Sequence, residues 1–134
     1  MTAIDSTVLI DVLRDRTGRC RNRLEARVVD AELAFTPFTH FEVLKGCKDM
    51  RQWDRIARYL ADHRVLAVSD RTWEGAARIA FDARRKGLTI RSSVDCLIAQ
   101  VVIEHDRLLL HKDHDFETIA KISALKQEWL DVSG

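Results

Sequence analysis

Acidic side chains occur in four separate stretches of this sequence, either after a short apolar run or on a predicted helix. The stretches are Ala3-Ile4-Asp5, Thr39-His40-Phe41-Glu42, Ser92-Ser93-Val94-Asp95 and His111-Lys112-Asp113-His114-Asp115-Phe116. If the fold brings these carboxylates together, they repel one another and raise their own pKa values unless a cation lies among them. Hard oxygen ligands suit Mg²⁺ or Mn²⁺. The chemistry of such a site is phosphodiester hydrolysis through a metal-activated water, with no covalent nucleophile.

Two of these acids also have structural explanations as helix caps. Asp5 stands where a short strand would feed a helix, so its carboxylate could be an N-cap. Residues 92–95 match the capping-box pattern before an apolar run, and Asp95 suits the positive end of the helix dipole. Either acid alone is therefore ambiguous.

Glu42 is harder to explain structurally. On a helical wheel it shares the stripe of Phe38 and Phe41, so its charge is expected to point towards the apolar side. Lys45, three residues later, offers a salt bridge as the alternative.

The segment 111–116 reads as a polar loop after a strand, and a solvated turn is the alternative to a functional role. Its histidines and aspartates could in principle hold zinc. However, the sequence contains no HExxH pattern to complete such a site.

Short apolar runs alternate with helical periodicities along the chain. Strands are expected at residues 3–4, 33–35, 65–68, 107–110 and 125–132. Helices are expected from Ser6 to the Thr17-Gly18 break, over 19–31, from Thr36-Pro37 to about 45, over 49–61, from about 70 to 86, and over 93–105. This alternation predicts an α/β domain with a mostly parallel sheet.

In such sheets, ligands bind outside the carboxyl ends of the strands. Asp5 and Asp113 each come directly after a predicted strand. Glu42 lies on the helix after the second strand, and Asp95 lies in the first turn of a helix that is apolar almost all round. The acids are therefore expected to converge at one edge of the sheet.

Length and composition predict a single globular domain spanning residues 1–134. Hydrophobic residues make up 46% and charged residues 32% of the chain, and no apolar run approaches the roughly 20 residues of a membrane span. Three cysteines without a CxxC pair are expected to be reduced, which favours the cytoplasm. The net charge is +1, but arginines crowd residues 14–27 and 84–91, either as a solvated helix face or as a phosphate-contacting patch.

The four acidic stretches resemble those of PIN domains, and more narrowly those of VapC-type ribonuclease toxins of toxin–antitoxin pairs. The matching segments are residues 5–11, 39–46, 93–99 and 109–116, which stand in the family's order and at its usual separations. Two positions depart from the pattern. Ser6-Thr7 replaces the common Thr-Ser, and His111 stands where a Thr usually precedes the fourth acid.

The resemblance implies a PIN-like three-layer α/β/α domain with a central, mostly parallel sheet of four to five strands. It also implies a Mg²⁺-dependent endoribonuclease with one or two ions, Mn²⁺ being an alternative. The catalytic and metal-binding residues would be Asp5, Glu42, Asp95 and Asp113, with Asp115 as a further metal ligand. Thr7, Ser93 and Lys112 would position the RNA substrate. The implied partners are a cognate antitoxin and a second copy of the chain, with no membrane.

Two other functions are compatible with parts of the pattern. One is a non-catalytic PIN-like module that binds RNA or a protein through an acidic pocket. The other is a receiver-like signalling domain, which would require an acidic pair after the first strand, whereas Asp5 stands alone there.

Overall fold

A computed structural model describes residues 1–29 and 32–134 of the chain. Its sheet has five strands, which are β1 (Thr2–Ile4), β2 (Leu33–Phe35), β3 (Arg64–Val65), β4 (Leu108–His111) and β5 (Lys126–Trp129). Their order is β3-β2-β1-β4-β5, and every neighbouring pair is parallel. The predicted α/β class is confirmed.

Seven helices of the described chain connect these strands. They are α1 (Ser6–Arg14), α2 (Arg19–Arg27), α3 (Pro37–Lys45), α4 (Met50–Ala61), α5 (Thr72–Arg85), α6 (Ser93–Glu104) and α7 (His114–Ala120). Their starts follow local chemistry. Thr36 caps α3 by accepting from the Thr39 N–H at 3.1 Å, and Pro37 takes the first helical position, where no amide hydrogen is required.

Successive residues of the strands pack into two separate hydrophobic cores, one on each face of the sheet. Ala3, Ala34 and Leu109 face the core that contains α5 and α6, whereas their successors Ile4, Phe35 and Leu110 face the core beneath α1, α2 and α4. Successive side chains of a strand point to opposite faces, and helices cover both faces of a parallel sheet. The result is the expected three-layer α/β/α arrangement.

Several predicted boundaries differ from the observed ones. The strand expected at 65–68 is Arg64–Val65, an edge strand that leaves the sheet after the Leu66 N–H donates to the Phe35 carbonyl. The strand expected at 125–132 is Lys126–Trp129. The helix expected over 19–31 is Arg19–Arg27, and Ala31 lies outside the described residues.

The largest difference concerns residues 111–116, which were expected to form a polar loop. His111 is the last residue of β4, and α7 begins at His114. The signal was present in the buried pair Phe116 and Ile119, whose three-residue spacing is helical. No helix among the described residues is long and apolar enough to cross a membrane.

Candidate active site and metal centre

The predicted acids meet at the carboxyl-terminal edge of the sheet. β1 and β4 are neighbours, with Ile4 paired to Leu110, and the Asp5 N–H donates to the Leu110 carbonyl at 3.0 Å. Asp5 and Asp113 therefore leave adjacent strands at the same edge. The start of α6 and the middle of α3 supply Asp95 and Glu42.

These side chains form two overlapping groups of carboxylates. Asp5, Glu42 and Asp95 can place one oxygen each within 4.8 Å of one another, and Asp95, Asp113 and Asp115 can do the same. Asp95 belongs to both groups. All four acids proposed from sequence, together with Asp115, thus lie within one cluster.

Asp5 is 1% exposed and is also the N-cap of α1. Its Oδ2 accepts from the Thr7 hydroxyl at 2.7 Å and from the Thr7 N–H at 3.2 Å. Its Oδ1 is buried and receives no hydrogen bond from any described residue. Burial raises the pKa of Asp5, and the hydrogen bonds from Thr7 oppose that rise.

Glu42 is half-buried and points towards Asp5. The Ser6 hydroxyl donates to its Oε1 at 3.3 Å, while burial and the charge of Asp5 raise its pKa. The helical wheel placed Phe41 on the apolar side of α3 together with Phe38 and Glu42, which is wrong for Phe41, because its side chain is 62% exposed. Lys45 lies 5.6 Å from the Phe41 ring centroid, and it makes no ion pair with Glu42 among the described contacts.

Asp95 is 4% exposed in the first turn of α6, and the capping-box interpretation of residues 92–95 is wrong. Ser92 makes no side-chain cap, and its N–H donates to Asp115 at 3.1 Å rather than to Asp95. Asp95 Oδ2 is buried without a hydrogen bond from the described chain. Burial raises the pKa of Asp95 to about 9, assisted by the neighbouring carboxylates of Asp115, Asp5 and Asp113.

Asp113 and Asp115 have different environments although they are two residues apart. Asp113 is the N-cap of α7 and accepts from the Asp115 N–H at 2.9 Å. Asp115 is 3% exposed and accepts from the backbone N–H groups of Arg91 and Ser92 at 3.0–3.2 Å. Asp115 therefore ties the start of α7 to the start of α6.

The comparison of this chain with known families agrees with that geometry. The PIN domain family matches residues 2–122. The chain belongs to the PIN-domain family. This membership excludes the receiver-like interpretation.

Within that family, this PIN domain is similar to proteins named VapC ribonucleases. It is 36% identical over 130 residues to VapC ribonuclease Mb1587 of Mycobacterium bovis and to ribonuclease VapC11 of Mycobacterium tuberculosis. In each case the match covers 94% of this chain and 96% of the relative.

Its fold is similar to chains in crystal structures of VapBC proteins bound to DNA. VapBC2 from Rickettsia felis, bound to a promoter DNA fragment, gives a TM-score of 0.79 at 17% identity, covering 97% of this chain and 98% of that one. DNA-bound VapBC from Salmonella typhimurium gives 0.77 at 15% identity, covering 96% and 98%. At these identities the likeness concerns the fold alone.

The three residues expected to position substrate have separate locations in this PIN domain. Thr7 links two acidic segments, since its Oγ1 donates to Asp5 and accepts from the Lys112 N–H at 2.9 Å. The Lys112 ammonium group is paired with Asp11 and lies 3.6 Å from Asp131. Ser93 is exposed and lines a cavity of about 300 Å³, and none of the clustered acids lines that cavity.

Sequence reasoning missed several residues that hold the acids in place. Ser6 contacts Glu42, and the backbone of residues 91–92 contacts Asp115. His111 is 0% exposed, and its Nδ1 accepts from the Asp113 N–H at 3.1 Å. No spacing in the sequence indicates these contacts, because the Ser6 contact joins side chains 36 residues apart and the others join a side chain to a backbone N–H whose position depends on the fold.

A cavity of about 380 Å³ opens on the Asp113 side of the cluster. Its lining comprises Arg91, Ser92, Lys112, Asp113, His114, Asp115 and Trp129. It therefore combines two of the clustered acids with basic and aromatic side chains. Asp5, Glu42 and Asp95 do not line it, so it is a space beside the cluster.

The donor set of the cluster fits a hard divalent cation. Each of the two groups consists of carboxylates, and two buried oxygens, Asp5 Oδ1 and Asp95 Oδ2, have no hydrogen-bond partner in the described chain. A buried carboxylate oxygen without a partner carries an unfavourable desolvation free energy that a cation would offset. Carboxylate oxygens are ligands for Mg²⁺ or Mn²⁺, whereas zinc in proteins commonly has His or Cys ligands.

Proposed function

We propose that this PIN domain is a Mg²⁺-dependent endoribonuclease and the toxin of a toxin–antitoxin pair. The observation that carries the proposal is the pair of buried, unpartnered oxygens on Asp5 and Asp95 within one carboxylate cluster. The names of its relatives support RNA as the substrate. Residues 1–134 act as one nuclease domain in this proposal.

Asp5, Glu42 and Asp95 would hold a metal ion, and Asp113 would complete the site from the end of the neighbouring strand β4. A second ion would share Asp95 with Asp113 and Asp115. Asp115 is the least available of the five acids as a metal ligand, because its oxygens already accept hydrogen bonds from backbone N–H groups. When bound, Mg²⁺ lowers the pKa of a coordinated water and neutralises charge that develops on the phosphate.

The chain's own groups position and orient the reactants around that ion. Thr7 fixes the Asp5 carboxylate and the Lys112 backbone in one arrangement, and Ser6 orients Glu42. Arg91, whose side chain is 73% exposed beside the cavity, can contact an RNA phosphate. In the proposed reaction a water oxygen attacks phosphorus in line with the leaving oxygen, so a new P–O bond forms as the P–O bond to the leaving strand breaks and that oxygen takes up a proton.

The biological setting is a cytoplasmic homodimer inhibited by an antitoxin. Similarity to chains in VapBC structures supports a protein partner of that kind. The antitoxin would inhibit by occupying the acidic site.

The test is RNA cleavage by the purified chain with Mg²⁺, with EDTA, and with the variants Asp5→Asn and Asp95→Asn. Cleavage is expected only with the metal and with both carboxylates, and circular dichroism should show both variants folded. RNA or partner binding with no metal-dependent cleavage would favour the non-catalytic module. Full activity in folded Asp5→Asn or Asp95→Asn would show that the site is assigned wrongly.

A further inference from the structure

Two aromatic rings stand beside the acidic cluster without a role in holding it. Trp129, at the end of β5, and His114, the first residue of α7, have ring centroids 4.7 Å apart with planes inclined by 34°. Both line the cavity that also contains Asp113 and Asp115. This tilted pair therefore extends from the carboxylates into open space.

Neighbouring side chains hold the two rings in position, and both rings remain accessible to solvent. Trp129 packs edge-on against buried His111 at 5.9 Å, and His114 Nδ1 lies 2.6 Å from Glu117 Oε1. Trp129 nevertheless remains 40% exposed, and the His114 side chain is 73% exposed. A fixed aromatic surface binds a flat partner with a small loss of side-chain entropy.

The groups around the rings match a nucleotide better than an apolar ligand. Arg91 lies on the same cavity, and although its guanidinium lies 3.8 Å from Asp115 Oδ1, its side chain is 73% exposed and can reach a phosphate. Proteins bind single-stranded nucleic acid by combining basic side chains for the backbone with aromatic rings for the bases. Asp113, on the same wall, belongs to the carboxylate cluster where a scissile phosphate would bind.

We propose that Trp129 and His114 form a stacking subsite for a nucleobase adjacent to the scissile phosphate of a single-stranded RNA. The subsite rests on the proposed ribonuclease function and adds a specific position to it. The stacked base fixes the strand relative to the acids, while Arg91 contacts the backbone. Stacking tolerates any base, so this subsite contributes affinity and register rather than full sequence choice.

The test compares Trp129→Leu with Trp129→Phe, because Leu retains apolar packing on His111 whereas Phe also retains an aromatic face. The probe is a short fluorescein-labelled single-stranded RNA of mixed sequence, together with the same strand carrying abasic sites. Binding is measured by fluorescence anisotropy with Ca²⁺ in place of Mg²⁺ to limit cleavage. Trp53→Leu is the matched control, since Trp53 on α4 is also 40% exposed but does not line the cavity.

Trp129→Leu is expected to weaken binding of the intact RNA by roughly 5- to 140-fold, the range for loss of one base–aromatic stack. Its affinity for the abasic strand should stay near that of the wild type. Trp129→Phe should recover most of the loss, and Trp53→Leu should change neither affinity. In a variant with Trp129 as the sole tryptophan (W53F/W73F), RNA should quench the indole fluorescence.

If folded Trp129→Leu binds intact RNA as tightly as the wild type does, the proposed subsite is wrong. The same holds if the variant keeps its RNA affinity but loses binding to a protein partner, because the residue would then belong to a protein interface. An equal loss on the abasic strand would also overturn it, because the effect would not depend on the base. If the wild type cleaves RNA but Trp129→Leu binds RNA normally, the stacking subsite is wrong and the proposed ribonuclease function is not affected. A wild-type chain that neither binds nor cleaves RNA overturns the function itself.

Discussion

His111 Nδ1 accepts a hydrogen bond from the backbone N–H of Asp113 at 3.1 Å. A ring nitrogen that accepts from an N–H carries no proton, so Nε2 holds the proton and donates to Gln127 Oε1 at 2.6 Å. The Asp113 N–H thus fixes the tautomer of His111, and Gln127 on β5 accepts from the other ring nitrogen.

The first prediction separates the two nitrogens of His111. His111→Asn retains an acceptor near the Nδ1 position, and His111→Gln retains a polar group near the Nε2 position. We expect His111→Gln to weaken Mn²⁺ binding by about 10- to 100-fold, the usual cost of losing an outer-shell partner, and His111→Asn to weaken it much less. Electron paramagnetic resonance of free Mn²⁺ measures the affinity.

Urea denaturation of both His111 variants provides the control for loss of packing, because each replaces a fully buried ring. Equal Mn²⁺ affinities in His111→Asn and His111→Gln at similar stability would contradict the positioning role. Nitrogen-15 chemical shifts of the wild-type ring should show the Nε2–H tautomer.

The second prediction concerns Thr7, whose hydroxyl joins Asp5 to the Lys112 backbone. Thr7→Val has a similar shape but leaves the Lys112 N–H without its acceptor, so we expect a loss of about 1–3 kcal/mol in the free energy of unfolding. Thr7→Ser keeps the hydroxyl and should lose less. Urea denaturation in EDTA measures both, and a larger loss for Thr7→Ser than for Thr7→Val would indicate that the methyl group, not the hydroxyl, matters.

The third prediction follows from the raised pKa of Asp95, about 9 compared with an ordinary value of 3.8. Between these values the native protein retains a proton that the unfolded chain releases, so the free energy of unfolding of the metal-free protein falls as pH rises. The slope is about 1.4 kcal/mol per pH unit for each such proton. Asp5 and Glu42, whose pKa values are also raised, add to it in the same direction.

Asp95→Asn removes the titrating group, so its stability in EDTA should decline less steeply with pH than that of the wild type. Mg²⁺ competes with protons for the same oxygens, so its affinity for the wild type should rise with pH over that window. Chemical denaturation across a pH series measures the slope, and isothermal titration calorimetry measures the affinity. Parallel pH profiles for wild type and Asp95→Asn would contradict the assignment of the proton to Asp95.

Sequence periodicity and family resemblance predicted the sheet and the convergence of the acids because both depend on local signals. Asp5 and Asp113 follow strands, and parallel strands end at one edge, so their proximity required no knowledge of side-chain packing. The start of α7 was missed because the polar residues of the 111–116 segment obscured its helical spacing. The role of Asp115 was missed for a different reason, since its partners are backbone N–H groups 23 and 24 residues away.

The final prediction distinguishes that backbone contact from a surface ion pair. Asp115 accepts from the N–H groups of Arg91 and Ser92, and its Oδ1 also lies 3.8 Å from the Arg91 guanidinium, whose side chain is 73% exposed. Asp115→Ala leaves two backbone donors without their acceptor, so we expect it to lose about 1–3 kcal/mol or more of unfolding free energy. Arg91→Ala removes only the exposed pair and should cost less than about 1 kcal/mol. Thermal and urea unfolding in EDTA measure both variants, and a loss for Arg91→Ala as large as that for Asp115→Ala would show that the ion pair, not the backbone contact, joins α6 to α7.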